Sequence, residues 1–436
     1  MRPCAKGCCF VARMPEPSNT PISNVRLKGV TFAKQFPNPA EPVRGTFVLR
    51  QVLATSYAVQ WRVIAPVLWA PAGFRRLLRR PRVPAEETRS GIQVAHPAFW
   101  VGPHHVRYSR AGISMAAAAR AAFAGAVKEG AEFVHVHALF PSGEASRRLA
   151  GEFGIPYVVT VHGSDLYTML QSSVWSDIAR TVAREACAVV CVSERLAQDS
   201  ISRLGVDPST VVVIPDAYDE ETFHFVERPS GPSTSGGIRL ACVGRLEPPK
   251  GQDVLVEALG LPASRGVEAR LALVGSGSLE PQLRRRASEL GIADRVDFLG
   301  ALPPERVAEV LAAADIYVQP SRREGFGVAL VEAMATGLPA VATRSGGPDG
   351  IVGEADGVLV APDDPEALAA GLAQAIERRT QFDRLAIAAR MASKYSSPVV
   401  GERLVSLYYD VLGRKRGPVS ESGPAGGSGS ATITAG

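Results

Sequence analysis

Two carboxylates, Glu324 and Glu332, give the clearest chemical signal in the chain. They flank the turn Gly325-Phe326-Gly327 inside the segment PSRREGFGVALVEAMATG, residues 320–337. The pattern reads as a strand end, a loop, and a helix starting at about Val328. Amides left free at a helix start, together with the helix dipole, favour a phosphate. Carboxylates beside such a site are poor phosphate ligands. They are good acceptors for hydroxyl groups, as a sugar and a ribose provide. A capped core helix carrying surface glutamates would show the same spacing.

Other segments add complementary chemistry. VGRLEPPKG, residues 243–251, sets Arg245 and Lys250 in one strand-to-helix loop. A planar fork donor and a point-charge donor there suit a pyrophosphate, although two loop cations also fit a solvated surface. LALVGSGSL, residues 271–279, places Gly275 and Gly277 after a strand, where the backbone of a turn can approach a nucleotide. Glu280 stands where a dinucleotide fingerprint needs its third glycine, which argues against a nicotinamide enzyme. VTVHGSDLY, residues 159–167, puts His162 at the carboxyl end of a strand, a position shared by cleft residues and structural histidines. FPNPAEPVRGTFV, residues 36–48, places Gly45 before a helix, a second turn able to face an anion. Neither a G-x-S-x-G hydrolase elbow nor a phosphate loop of the G-x4-G-K-[ST] type occurs.

These segments need a scaffold that delivers strand ends to one place. The chain has 436 residues, 46% of them hydrophobic and 21% charged. That composition is globular, and the length suits two domains. From Val25 onward, short apolar runs alternate with helical stretches. The runs Phe133–Val136, Tyr157–Val161, Ala188–Val192 and Val211–Ile214 read as buried parallel strands. Met115–Lys128, Gly143–Phe153 and Val174–Ala186 read as helices between them. The rhythm breaks at ERPSGPSTSGG, residues 227–237, and restarts with strands Ile238–Val243, Leu271–Val274, Arg295–Phe298, Ile316–Gln319, Ala340–Ala342 and Val358–Val360. Helices over Phe382–Lys394 and Val399–Leu412 follow. The expected division is a disordered extension over 1–24, a first α/β domain over 25–215, a linker over 216–237, a second α/β domain over 238–398, a helix over 399–414 returning to the first domain, and a disordered tail over 415–436. Two open doubly wound sheets in tandem predict a cleft between them, with ligands outside the carboxyl ends of the strands.

Taken together, the chain resembles the retaining family-four glycosyltransferases of the GT-B fold over about Val25 to Leu412. The residues that carry the resemblance are Glu324 and Glu332 (E-x7-E), Arg245 and Lys250 in GRLEPPKG, His162 in HGSD, the segments VGSGSLEPQL and RVDFLGALP, and Ser345-Gly346-Gly347 followed by GVLVAPDDPEAL. The first half, FPNPAEPVRGTFVLRQV with HVHALFPSGEASRRLAGEFGIPYVVTVHGSDL, looks like enzymes of teichuronic-acid and exopolysaccharide assembly. The resemblance implies two Rossmann-like domains facing a central cleft, the first for the acceptor and the second for the donor. It implies transfer of a hexosyl unit from a nucleotide-diphosphate sugar to a glycan or lipid-linked acceptor with retention. In that scheme Arg245 and Lys250 hold the diphosphate leaving group, Glu332 binds the ribose, and Glu324 contacts the transferred sugar. The amides of Gly325, Phe326, Gly327 and Val328 meet sugar or phosphate, Gly275 and Gly277 lie by the donor, His162 contacts the sugar, and Gly45 keeps the first loop near the diphosphate. No metal or other cofactor is required. Three departures stand out: Pro215-Asp216-Ala217-Tyr218-Asp219 where the family usually has P-N-G-V-D, one glycine instead of two in the first loop, and Pro348-Asp349-Gly350-Ile351 where P-E-I is common. An epimerase or phosphorylase on the same fold, or a catalytically silent sugar-nucleotide binder, remains open.

Charge is divided between the halves. Residues 1–215 hold 25 Lys+Arg against 14 Asp+Glu, a net +11; residues 216–436 hold 23 against 29, a net −6. A basic half meets anions. The segment Phe74–Arg82, FRRLLRRPR, sets five arginines beside Phe74, Leu77 and Leu78, at helical spacing for one apolar face. It is read equally as a solvated basic loop or as a contact with an anionic membrane surface, and the acceptor chemistry favours the membrane. No nucleic-acid motif accompanies the charge. No run of about 18–20 apolar residues could cross a membrane. The expected location is cytoplasmic and peripheral to the inner face of the membrane. Cys4, Cys8 and Cys9 lack a second Cys/His pair nearby and are not read as a zinc site.

Overall fold

The computed structural model describes residues 26–69, 82–101, 110–227, 237–261 and 269–413. The expected extension over 1–24, the centre of the linker, the tail over 415–436 and Phe74–Arg82 apart from Arg82 lie outside the described residues.

The first domain is built on an eight-stranded sheet. Its order is Val211–Val213, Ala188–Cys191, Tyr157–Val161, Phe133–His137, Leu27–Phe32, Val59–Ile64, Ile92–Ala95 and Glu86–Arg89. Every pairing is parallel except the last, where Glu86–Arg89 runs antiparallel along the edge. The second sheet has six parallel strands, in the order Val296–Gly300, Ala269–Val274, Ile238–Val243, Ile316–Gln319, Ala340–Thr343 and Gly357–Val360. Strands such as Phe133–His137, Tyr157–Val161 and Ile316–Gln319 are buried at every position. Helices cover both faces of such a sheet, so an unbroken apolar run is what it requires.

Sequence patterning differs from the structure mainly at the edge of the first sheet. Val59–Ile64 reads VQWRVI, with Gln60 exposed and Arg62 half-buried. That interruption hides a parallel strand from a search for continuous apolar runs. Ile92–Ala95 alternates buried and more exposed residues, as a strand near an edge does. At the other end, the expected strand at Arg295 begins one residue later, because Ala293–Arg295 forms a 3-10 turn.

Helix Ser397–Val411 packs on the first domain. Val400, Leu404, Val405 and Tyr408 are buried in one cluster with Val48, Val52, Trp61 and Phe133. The period-2 rule puts Phe133, His135 and His137 on one face of their strand, towards that helix. His135 bonds through Nδ1 to the Tyr408 hydroxyl at 2.7 Å and through Nε2 to Thr160 Oγ1 at 2.6 Å. Helix Arg384–Tyr395 stays with the second domain and starts at Asp383, whose carboxylate accepts from the Ala386 amide at 2.9 Å. The three core clusters include one that runs across both domains, joining Val136 and Leu166 of the first to Phe326, Leu330 and Met334 of the second.

Candidate active site

The carboxyl ends of both sheets face each other, and the motif residues sit on the loops that leave them. Strand Ile316–Gln319 feeds the loop holding Glu324. Strand Ile238–Val243 feeds the loop with Arg245 and Lys250. These two strands are neighbours, so residues 74 apart in sequence meet. Lys250 Nζ lies 2.6 Å from Glu324 Oε2, with the Lys250 side chain 26% and the Glu324 side chain 12% exposed. The same oxygen accepts from Gln319 Nε2 at 2.8 Å and from the Ser321 hydroxyl at 3.1 Å. The Glu324 backbone is clamped as well: its amide donates to Ser345 O at 3.0 Å and its carbonyl accepts from the Gly347 amide at 2.9 Å. Glu324 is therefore a fixed carboxylate on a fixed backbone. Arg245 is exposed on the same loop, and its guanidinium makes no ion pair among the described residues.

Gly325 is where the domains touch. A methyl group on it would lie 2.1 Å from His162 O, so only glycine fits against the first domain at this point. Gly327 has φ +111 and opens helix Val328–Ala335, which puts Val328 in its first turn. Phe326 is buried and packs its ring on Tyr395 at 5.4 Å. Gly275 and Gly277 have a different explanation from ligand approach alone. Added Cβ atoms would meet Gly244 O at 1.9 Å and Leu246 O at 2.3 Å, and the Gly275 amide already donates to Gly300 O. These two glycines hold the Arg245 loop in place. Gly45 sits at φ +75 before helix Thr46–Thr55, where a Cβ would collide with Gln35 O at 2.2 Å.

Glu332 is largely buried and faces the first domain. Its Oε1 lies 3.0 Å from Arg50 Nη1, and Arg50 also reaches Asp219 at 3.5 Å. Burial pushes the Glu332 carboxyl above its usual value; Arg50 pulls the other way. Arg50, on the helix that Gly45 opens, escaped the sequence reading. It stands inside the quoted FVLRQV segment, but its partner is 282 residues away, and no local spacing shows such a pair.

His162 is held in the first domain through Nε2, while Nδ1, which makes no hydrogen bond among the described residues, sits within ion-pair distance of Asp216. Nε2 lies 3.2 Å from His137 Nδ1, and Nδ1 lies 3.5 Å from Asp216 Oδ2. Phe47 packs on the ring at 4.6 Å between centroids. Asp216 is buried and accepts from Gln51 Nε2 at 2.9 Å. Burial disfavours the imidazolium, but Asp216, and Asp165 behind it, outweigh that and hold the pKa above the ordinary histidine value. His135 and His137 go the opposite way. Burial, with a further push from neighbouring histidines, lowers His135 to about 3 and takes His137 well below its usual value. The departure at Asp216 is thus a residue that raises the pKa of His162. His162 also meets the second domain through its backbone, where its carbonyl lies against Gly325.

Comparison with known proteins bears on the family and the fold. The family model described as Glycosyltransferase Family 4 matches residues 50–222, and that described as Glycosyl transferases group 1 matches residues 226–392. A D-inositol 3-phosphate glycosyltransferase of Acidothermus cellulolyticus is 30% identical over 65% of this chain and 68% of its own length. The chain belongs to the family 4 glycosyltransferases. Among solved structures, sucrose-phosphate synthase from Thermosynechococcus elongatus superposes with a TM-score of 0.72 at 20% identity, over 89% of this chain and all of that one. The Anabaena protein HepE, solved with UDP and glucose, gives a TM-score of 0.66 at 20% identity over 88% of this chain and all of its own. The fold is GT-B: two Rossmann-like α/β domains across a cleft.

Proposed function

We propose that this glycosyltransferase moves a hexosyl unit from a nucleotide-diphosphate sugar to a glycan or lipid-linked acceptor, with retention, in cell-surface polysaccharide or glycolipid synthesis. The observation that carries this is the Lys250–Glu324 pair on the loop that also carries the exposed Arg245, which has no ion pair among the described residues. A diphosphate entering the Arg245 loop draws Lys250 towards itself. Glu324, still held by Gln319 and Ser321, is then free to accept from a sugar hydroxyl. Leaving-group charge is met by two preorganised cations and the amides of Gly325–Val328. They supply the positive charge, so no metal is invoked. Glu332 takes ribose hydroxyls once Arg50 yields it. His162, whose protonated form Asp216 and Asp165 favour, is assigned to the donor sugar from the first-domain side, behind the Gly163–Gly325 contact.

Glu324 is the fixed carboxylate beside the sugar, and no second nucleophile is assigned. The leaving phosphate accepts the acceptor proton on the same face of the ring, which retains configuration. The acceptor is assigned to a surface glycan or glycolipid. Among the described residues no helix is long and apolar enough to cross a membrane; attachment is assigned to Phe74–Arg82 on the inner face of the cytoplasmic membrane. Glu324→Gln tests the assignment. It abolishes turnover while circular dichroism stays native, and the wild-type product shows the donor's anomeric configuration by NMR. An inverted product, or full turnover in the variant, overturns it.

A further inference from the structure

Glu332, the carboxylate assigned to the ribose, is already occupied. Arg50 Nη1 stands 3.0 Å from its Oε1. A ribose offers two neighbouring hydroxyls, and a carboxylate accepts from both side by side only with both oxygens. Arg50 therefore competes with the ligand for one of them. The pair is shielded from solvent, with the Arg50 side chain 18% and the Glu332 side chain 13% exposed. Pulling the guanidinium away to no partner would leave charge unmatched in a half-buried place, a penalty that offsets the gain from new hydroxyl contacts. Nucleotide binding at Glu332 thus needs a second carboxylate for Arg50.

Asp219 is in place for that. Arg50 Nη2 lies 3.5 Å from Asp219 Oδ2, so the planar fork spans two carboxylates, one at short and one at long range. Asp219 is the more open of the two, with its side chain 30% exposed. Its carboxylate is held by Thr222, whose amide donates at 3.3 Å and hydroxyl at 3.0 Å. The backbone beside it is pinned, because the Tyr218 amide donates to Tyr395 O at 3.2 Å. The helix that carries Arg50 is fixed as well: Gln51 donates to Asp216, and Val48 and Val52 are buried. What remains to move is the Arg50 side chain, which can turn from Glu332 to Asp219 without leaving a carboxylate. The three groups share one field: burial raises the pKa of Glu332, Arg50 lowers it, and Asp219 raises it.

We propose that Arg50 and Asp219 are positioning residues of the ribose site: Arg50 holds Glu332 while the site is empty, and Asp219 receives Arg50 when a ribose diol takes its place. Neither is assigned a contact with the reacting atoms. The inference rests on the assignment of Glu332 to the ribose made above. It makes affinity for a ribonucleotide depend on the charge of an aspartate that acts only through Arg50.

The probes are UDP, GDP and ADP, each beside its 2′,3′-dideoxy form, and inorganic pyrophosphate. They are titrated calorimetrically into the full chain, wild type, Asp219→Asn and Asp219→Glu. Asn keeps the shape of Asp219 and an oxygen for Thr222, and urea midpoints check that each variant folds. The wild type is expected to bind a ribonucleoside diphosphate more tightly than its dideoxy form. Asp219→Asn weakens the ribonucleotide by about tenfold, the loss of one charge-assisted contact. It leaves the dideoxy form and pyrophosphate unchanged, because neither displaces Arg50. Asp219→Glu keeps the charge and keeps the preference. An unchanged ribonucleotide affinity in Asp219→Asn overturns the proposal. So does an equal loss for all ligands, or the same loss in both variants, since the turn at Thr222 and not the charge would then be responsible. A wild type that binds no nucleoside diphosphate, or binds both forms alike, refutes the ribose assignment and the proposal with it. A wild-type preference that survives in Asp219→Asn refutes the proposal alone.

Discussion

Replacing Asp216 by Asn changes one charge next to His162 and little else. Asn has the same shape, and its side-chain oxygen can still accept from Gln51. In the wild type, His162 holds its proton more tightly folded than unfolded. Its contribution to stability is complete below the unfolded value near 6.5 and is lost as pH rises through the folded value. Within that window stability falls by about 1.4 kcal/mol per pH unit. His135 and His137 carry the opposite sign. They stay neutral in the fold, so below about 6.5 the unfolded chain binds two protons that the folded chain refuses. Stability then falls by about 2.7 kcal/mol per pH unit on acidification. The wild type should be most stable close to pH 6.5, with the steeper limb on the acid side. Asp216→Asn should flatten the alkaline limb and steepen the acid limb, because burial of His162 is then no longer offset by the Asp216 charge. Urea midpoints at half-unit intervals from about pH 5.5 to 8 measure both limbs, below the range where the buried thiols of Cys191 and Cys242, raised to about 12, contribute. Parallel profiles for the two proteins above pH 6.5 would refute the reasoning, because His162 would then not be charged by Asp216.

Three further predictions follow from the site. Lys250→Met lowers kcat by about 10²–10³-fold, the usual cost of a lost preorganised donor, in a steady-state assay with the cognate donor; an unchanged kcat contradicts its role. Arg50→Ala leaves Glu332 buried without its cation and destabilises the chain by about 3–5 kcal/mol, read from urea unfolding. Gly325→Ala places a methyl 2.1 Å from His162 O, forcing the domains apart; small-angle scattering shows a larger radius of gyration, and turnover drops at least about a hundredfold from the lost alignment.

How much was legible in the chain depended on distance along it. The second domain was readable because its strands are buried on both faces and its glycines and acids are close in sequence. Lys250 and Glu324 were each legible as site residues, but their pairing appears only once the fold sets their two strands side by side. The pair Arg50–Glu332 was not readable because it depends on the two domains meeting, and the row His135–His137–His162–Asp216 because it depends on neighbouring strands and a distant loop of the first domain coming together. Asp216 was visible as a departure from the family's turn, yet its effect on His162 required the geometry. Gly275 and Gly277 illustrate the reverse. A glycine motif reads as ligand approach, while the fold shows these two packed under the Arg245 loop. Arg62, mid-strand in Val59–Ile64, hid that strand by snorkelling towards Glu129 at 2.7 Å.

The central claim is that the Arg245–Lys250 loop binds a nucleoside diphosphate. Thermal shift of the full chain with UDP, GDP, ADP and NAD, repeated on Arg245→Ala, tests it directly. A ligand at about 100 times its dissociation constant adds roughly 2.7 kcal/mol, which is readily resolved. The account predicts stabilisation by one of the three nucleoside diphosphates, absent from Arg245→Ala. Stabilisation by NAD alone, by none of the four, or equally in the variant would contradict it.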